Sequence, residues 1–141
     1  MKRTPNLPKR EFKRLLKMVP FVCVDAVIKN GKGEFLLEKR TYPPYTGRWH
    51  VPGGFIGYNE RLADVAKRKA LQETGLKIKV KKYTGCYDDP KLDPRGRIIV
   101  HAFLAEPIGG KLKKDGLKWF KRIPRNIIPF QRKELRDAGF K

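Results

Sequence analysis

The stretch "GGFIGYNERLADVAKRKALQETGL" (residues 53–76) decides how this chain is read. It opens on a glycine pair, passes through a turn-like segment, and runs with helical spacing to Gly75. Counted at about 100° per residue from Leu62, Val65, Ala66 and Ala70 fall within roughly 80° of one direction, so residues 59–74 predict an amphipathic helix. Gly75 follows as its C-terminal cap. On the same wheel Glu73 falls at roughly 20°, inside the apolar arc, with Lys69 one turn earlier at roughly 340°. Gln72 lies to one side and Arg68 beyond it. A carboxylate there meets two penalties. Burial disfavours an unpaired charge, and the C-terminal end of a helix dipole disfavours a negative one. A cation must hold it. Lys69 at i−4 is one candidate, and a divalent ion with oxygen ligands is the other. Periodicity alone leaves both open.

The flanking sequence supplies strands on either side. Residues 8–18, "PKREFKRLLKM", place Phe12, Leu15 and Leu16 at helical spacing and predict a short amphipathic helix. The β-prone run at 20–30, the "GKG" turn at 31–33 and the run at 34–40 predict a hairpin. Residues 41–54, "TYPPYTGRWHVPGG", read as a structured loop leading into a short strand. In "LKIKVKKYTGCY" (76–87), Leu76, Ile78 and Val80 alternate with Lys77, Lys79 and Lys81, the pattern of a half-buried strand with a basic outer face. Residues 98–107 predict a buried strand, 117–120 a last strand and 130–140 a C-terminal helix, with loops at 88–97 and 109–116. The pattern predicts an α/β (α+β) chain with a mixed β-sheet between helices. Residues 1–7 read as a basic tail and 8–141 as one domain.

Composition narrows the partners. Lys and Arg number 34 against 14 acidic residues, a net charge of +20 that attracts nucleotides, nucleic acid or another polyanion. No apolar run approaches the ~18 residues of a membrane-spanning helix, so no membrane is expected. The basic start, "MKRTPNLPKREFKRLLK", lacks the apolar stretch of a secretory signal, and the expected location is the cytoplasm. Cys23 and Cys86 lack metal or disulfide-framework spacing and read as buried free thiols. His101 shares a strand face with Ile99 and Phe103 and reads as a buried structural histidine.

The order Gly54, Glu60, Arg68, Glu73, Gly75, with apolar Ala70 and Leu76, resembles the Nudix box, and "GRWHVPGG" (47–54) is similar to its usual lead-in. The resemblance implies the Nudix fold and hydrolysis of a nucleoside-diphosphate-linked substrate with Mg²⁺, or Mn²⁺ in its place. Two family acids are replaced, by Lys69 and Gln72. Several adjacent Mg²⁺ ions need several carboxylates to offset their charge, so the ordinary multi-ion site is not expected.

One Nudix branch, the GDP-mannose mannosyl hydrolases, also lacks acids at those two positions, and residues 10–54 resemble it beyond the box. That branch implies one ion, held here by Glu73 and the Gly53 carbonyl, with Gln72 as a further candidate. It implies Arg40 on the diphosphate, Arg68 paired with Glu60 or on the leaving group, and Asp25 near the sugar. Phe55 stands where the branch has an arginine, and with Trp49 joins the candidate substrate contacts. The branch's late-loop histidine is missing. Lys114 and Asp115 stand there instead, and Asp115 is the candidate general base.

An ADP-ribose-type pyrophosphohydrolase is the alternative enzyme, suggested by the loop "YDDPKLDPRGR" (87–97). A further alternative is a catalytically inactive Nudix domain that binds RNA or a nucleotide, through Lys77, Lys79, Lys81 and rings such as Tyr42, Tyr45 and Trp49. The N-terminal helix would serve a homodimer.

Overall fold

A computed structural model describes residues 7–141. All of the expected basic tail but Leu7 lies outside them. The elements are α1 (Lys9–Leu16), β1 (Phe21–Ile28), β2 (Phe35–Lys39), β3 (Trp49–His50), β4 (Gly53–Phe55), α2 (Leu62–Thr74), β5 (Leu76–Tyr87), β6 (Ile98–Gly110), β7 (Leu117–Phe120) and α3 (Pro129–Asp137). They form a four-stranded mixed sheet, ordered β4-β1-β6-β5, and a three-stranded sheet, ordered β3-β2-β7. β1 pairs parallel with β6 and antiparallel with β4.

β1 is the hub because it is buried from Cys23 to Ile28. Val24, Ala26 and Ile28 pack with Val65, Ala66 and Ala70 of α2. On the alternate positions, Cys23 meets Phe12 and Leu16 of α1, and Val27 meets Leu135 of α3. This double burial is what a continuous apolar strand predicts.

The expected 20–40 hairpin is present only at its tip. Lys29 and Phe35 form an isolated bridge, after which β1 and β2 enter different sheets. The reason is that both edges of β1 are already taken, by β4 and β6. α2 begins at Leu62 rather than 59, because Gly57 to Glu60 close a turn through Glu60 N–H to the Gly57 carbonyl, 3.2 Å. Gly75 ends the helix at φ 85°, a conformation that favours glycine. Cys23 is buried as expected, but Cys86 is exposed. Three register shifts break the β5–β6 ladder, and strict alternation of side chains cannot extend through them to Cys86.

No helix among the described residues is long and apolar enough to cross a membrane. Phe12, Phe21 and Phe55 meet edge-on, with centroids 5.2–5.6 Å apart, and they dock α1 onto β1 and β4. Phe12→Ala is expected to cost about 3–5 kcal/mol, read as a shift in denaturant midpoint at unchanged slope.

Candidate active site

The site is built where β1, β4 and α2 meet. Gly53 lies opposite Asp25, and Gly54 opposite Val24. A β-carbon on Gly53 would collide with Asp25 Oδ1 and the Val24 carbonyl, and one on Gly54 with the Lys69 chain. The glycine pair therefore lets both polar side chains lie against the backbone of β4. Glu73 and Lys69 are buried, at 5% and 8% exposure, which matches their expected inward placement. The Gly53 N–H donates to Glu73 Oε1 at 3.1 Å. Burial pushes the Glu73 carboxyl above its ordinary value, the Lys69 ammonium opposes that shift, and the Glu38 carboxylate reinforces it. Of the two cations considered from the sequence, Lys69 acts on Glu73 in this geometry. Lys69 is at hand, and a divalent ion could take the carboxylate with the Gly53 carbonyl.

Among the described residues no cluster of three His, Cys, Asp or Glu could hold a metal. One ion, completed by substrate oxygens and water, fits this donor set, whereas several adjacent ions do not. Gln72 is exposed, and its Oε1 accepts Arg68 Nη1 at 3.3 Å, whereas Glu73 is buried.

Arg68 is fully engaged in holding the loop before α2. Its Nε and Nη2 donate to the two Glu60 oxygens at 2.6 and 2.7 Å, and Nη2 also donates to the Phe55 carbonyl at 3.1 Å. Glu60 in turn accepts the Gly57 N–H at 2.7 Å, and Arg68 holds its carboxyl below the ordinary value. Phe55 sends its ring into the aromatic cluster. Trp49 turns toward β7, where its ring meets Phe120 edge-on at 4.9 Å. Neither ring lines the cleft.

The cleft is lined by Arg40, Tyr45, His50, Asp93, Arg95 and Gln131, with apolar walls from Pro44, Leu92, Ile128 and Phe130. Arg40 is 4% exposed, stacks its guanidinium 4.2 Å from the Tyr42 ring, and donates through Nε to the Tyr42 carbonyl at 3.1 Å. Its Nη2 has no hydrogen-bond partner among the described residues. Burial lowers the Arg40 value. A buried cation with an unused donor in a cleft is suited to an anionic oxygen. Tyr45 adopts φ 66°, a strained conformation for a non-glycine residue at the cleft wall. Asp115 is exposed, without a hydrogen bond or ion pair among the described residues, while its neighbour Lys114 pairs with Glu38. His101 is half-buried rather than core, with Nδ1 2.9 Å from the exposed Tyr83 hydroxyl. Lys77, Lys79 and Lys81 are exposed along β5 as expected.

Among the buried polar residues that escaped the sequence reading are two pairs. Gln131 and Glu134 lie beside Leu135 on the buried face of α3. Gln131 accepts the Val51 N–H at 2.7 Å and donates to Asp25 Oδ2 at 3.2 Å. The Glu134 carboxyl is buried and acts electrostatically on the Asp25 carboxyl, and neither Glu134 oxygen has a hydrogen-bond partner among the described residues. Burial pushes Asp25 up to about 7 and Glu134 well above its ordinary value, so one of the two keeps a proton at neutral pH. The spacing that singled out Glu73 would have found this pair, since residues 131, 134 and 135 share one helical face. Glu38 and His50 are the other pair, and they lie opposite each other on β2 and β3. Alternation could not reveal Glu38, because β2 is buried on both faces.

A family model described as NUDIX domain matches residues 19–126. An ADP-ribose pyrophosphatase of Methanocaldococcus jannaschii is 39% identical over 108 residues, which are 76% of this chain and 63% of that protein. The low-salt glycan biosynthesis protein Agl8 of Haloferax volcanii is 36% identical over 87 residues, 62% of this chain and 55% of its own. The chain thus spans less than two thirds of either relative. A MutT NUDIX hydrolase from Burkholderia pseudomallei shares the fold, with TM-score 0.74 at 23% identity, covering 86% of this chain and 99% of that one.

The Asp25–Glu134 pair makes stability depend on pH. Both carboxyls have raised folded values, so their contribution is complete at low pH and is lost as pH rises through the folded value of Asp25, about 7. The urea midpoint is expected to fall as pH rises from about 4 to about 7, and Glu134→Gln is expected to flatten that slope.

Proposed function

The chain belongs to the Nudix family, and from that premise we propose that it hydrolyses a nucleoside-diphosphate-linked sugar around one divalent ion. The observation that carries this reading is the inward pair of Glu73 and Lys69 behind the Gly53–Gly54 backbone. A single carboxylate faces the site from α2, and a lysine lies where a multi-ion centre would need an acid. Glu73 and the Gly53 carbonyl would hold Mg²⁺, or Mn²⁺ in its place, and the ion would offset the charge growing on the leaving diphosphate.

The chain's own residues do the rest. Arg40 Nη2 binds a diphosphate oxygen in a buried setting where its charge is poorly screened. The Asp25 carboxyl, held by Gln131, supports the Gly53 backbone from behind and keeps Glu73 in register. Glu60 and Arg68 brace the loop that enters α2, so their part is to position rather than to touch substrate. With one ion the favoured step is displacement at the sugar carbon, which releases the nucleoside diphosphate.

The Methanocaldococcus relative favours a second reading, ADP-ribose as substrate with cleavage of the phosphoanhydride. The two separate by products. Phosphorus NMR of a Mg²⁺-supplemented screen of nucleotide sugars and ADP-ribose reads a nucleoside diphosphate in the first case and two phosphomonoesters in the second. No turnover across that screen overturns both.

Glu73→Gln is expected to lower turnover at least about 10²-fold with the fold intact. Wild-type rates in this variant refute the ion assignment. Lys69→Glu is expected to bring no gain, and a large gain in kcat would point to a multi-ion mechanism instead.

A further inference from the structure

We propose that His50 and Glu38 form the water-activating site of this hydrolase, with the attacking water seated between His50 Nε2 and Glu38 Oε2. The proposal rests on the hydrolase reading above and supplies the general base which that reading lacks.

The geometry begins with register. β2 and β3 place Glu38 directly opposite His50. The side chains are 10% and 6% exposed, and His50 lines the cleft with Arg40 and Gln131. His50 Nδ1 lies 3.1 Å from the Val51 carbonyl, which can only accept, so Nδ1 carries the hydrogen. The neutral ring then presents the bare lone pair of Nε2. That lone pair faces Glu38 Oε2 at 3.8 Å, and Oε2 has no hydrogen-bond partner among the described residues. Glu38 Oε2 is thus buried and unsatisfied beside a second acceptor, a costly arrangement. One water donating an O–H to each, with ordinary legs of about 2.8 Å, satisfies both. Its oxygen lone pairs then turn away from the two acceptors.

The surroundings suit a base. Burial pushes the His50 imidazole down to about 4, the Glu38 carboxylate partly offsets that shift, and Arg40, just past β2, adds to it. The ring is therefore uncharged at neutral pH, and the facing Glu38 carboxylate is the group that favours its taking a proton. Lys114, from the 111–116 loop, engages Glu38 Oε1 and leaves Oε2 to the gap. From α3 the cleft receives neutral Gln131, and from the 88–97 loop the mutually paired Asp93 and Arg95, with Nη2 to Oδ2 2.8 Å. The Glu38 carboxylate and the Arg40 guanidinium both interact electrostatically with the Glu73 carboxyl. The late loop that the sequence nominated for a base thus contributes Lys114, which orients Glu38, rather than Asp115.

The step balances. The water oxygen forms a bond to the electrophilic carbon or phosphorus, and the bond from that atom to the leaving phosphate oxygen breaks with its electron pair. The water proton passes to His50 Nε2, the Glu38 carboxylate stabilises the imidazolium, and the proton leaves to solvent.

His50→Phe removes the lone pair while keeping a planar ring. It is expected to lower kcat about 10²–10⁴-fold with KM within about threefold, in a variant whose circular dichroism matches wild type. Glu38→Gln, whose amide N–H competes for Nε2, is expected to lower kcat in the same direction. A second readout needs no variant of the site. Nitrogen-15 NMR of the imidazoles at pH 7 is expected to show His50 as the Nδ1–H tautomer, with His101→Gln assigning the two histidines. An Nε2–H tautomer or an imidazolium at that pH overturns the proposal, as does a His50→Phe kcat within about fivefold of wild type. An active wild type with an active variant removes only this proposal. A wild type without turnover removes the hydrolase reading and this proposal with it.

Discussion

Two absent β-carbons govern this site. Gly53 and Gly54 let the Asp25 carboxyl and the Lys69 chain lie against β4, where a larger residue at 53 would press on the β1 backbone and one at 54 would displace the Lys69 chain. That close approach brings the Gly53 N–H to Glu73 and stacks Asp25, Gly53 and Glu73 across three elements. The hydrogen bond is modest in energy, but the groups it joins are buried and costly to leave unpaired. The glycine pair therefore constrains the strand, the helix and the polar interior at once.

Around this step the charges divide into two kinds. Arg68, Glu60 and Gln72 satisfy one another on the outer side of α2, and they hold the loop from Phe55 to Glu60 in place. Glu73, Lys69, Asp25 and Glu134 are buried, and each depends on a partner to be there at all. A motif read only as a row of letters would give all of them the same task. Their exposure separates bracing from chemistry.

The second sheet completes what the first begins. β3 and the residue after β2 carry His50 and Arg40 to the cleft, and β2 places Glu38 opposite His50. Because β1 has no free edge, β2 must leave it after the Asn30 turn, and this departure opens the space between the sheets. The cleft is thus a consequence of strand pairing, and its buried polar lining follows from the sheet order.

Much of this was legible in the chain itself. Helical spacing placed Glu73 and Lys69 inward, the alternation at 76–81 placed the lysine row outward, and Gly75 marked the end of α2, since each depends on local periodicity or on a single residue's conformational freedom. The family pattern, too, sits in consecutive residues. What the sequence could not decide was which distant residues meet. Glu134 reaches Asp25 from 109 positions away, Glu38 faces His50 only because β2 pairs with β3, and Lys114 finds Glu38 across a loop closure. Likewise Trp49 and Phe55, read as substrate contacts, turn into packing clusters. Periodicity reports which way a side chain points from its own element. Only the packing of elements against one another decides what it meets there, and at this site that encounter sets which charges are tolerated.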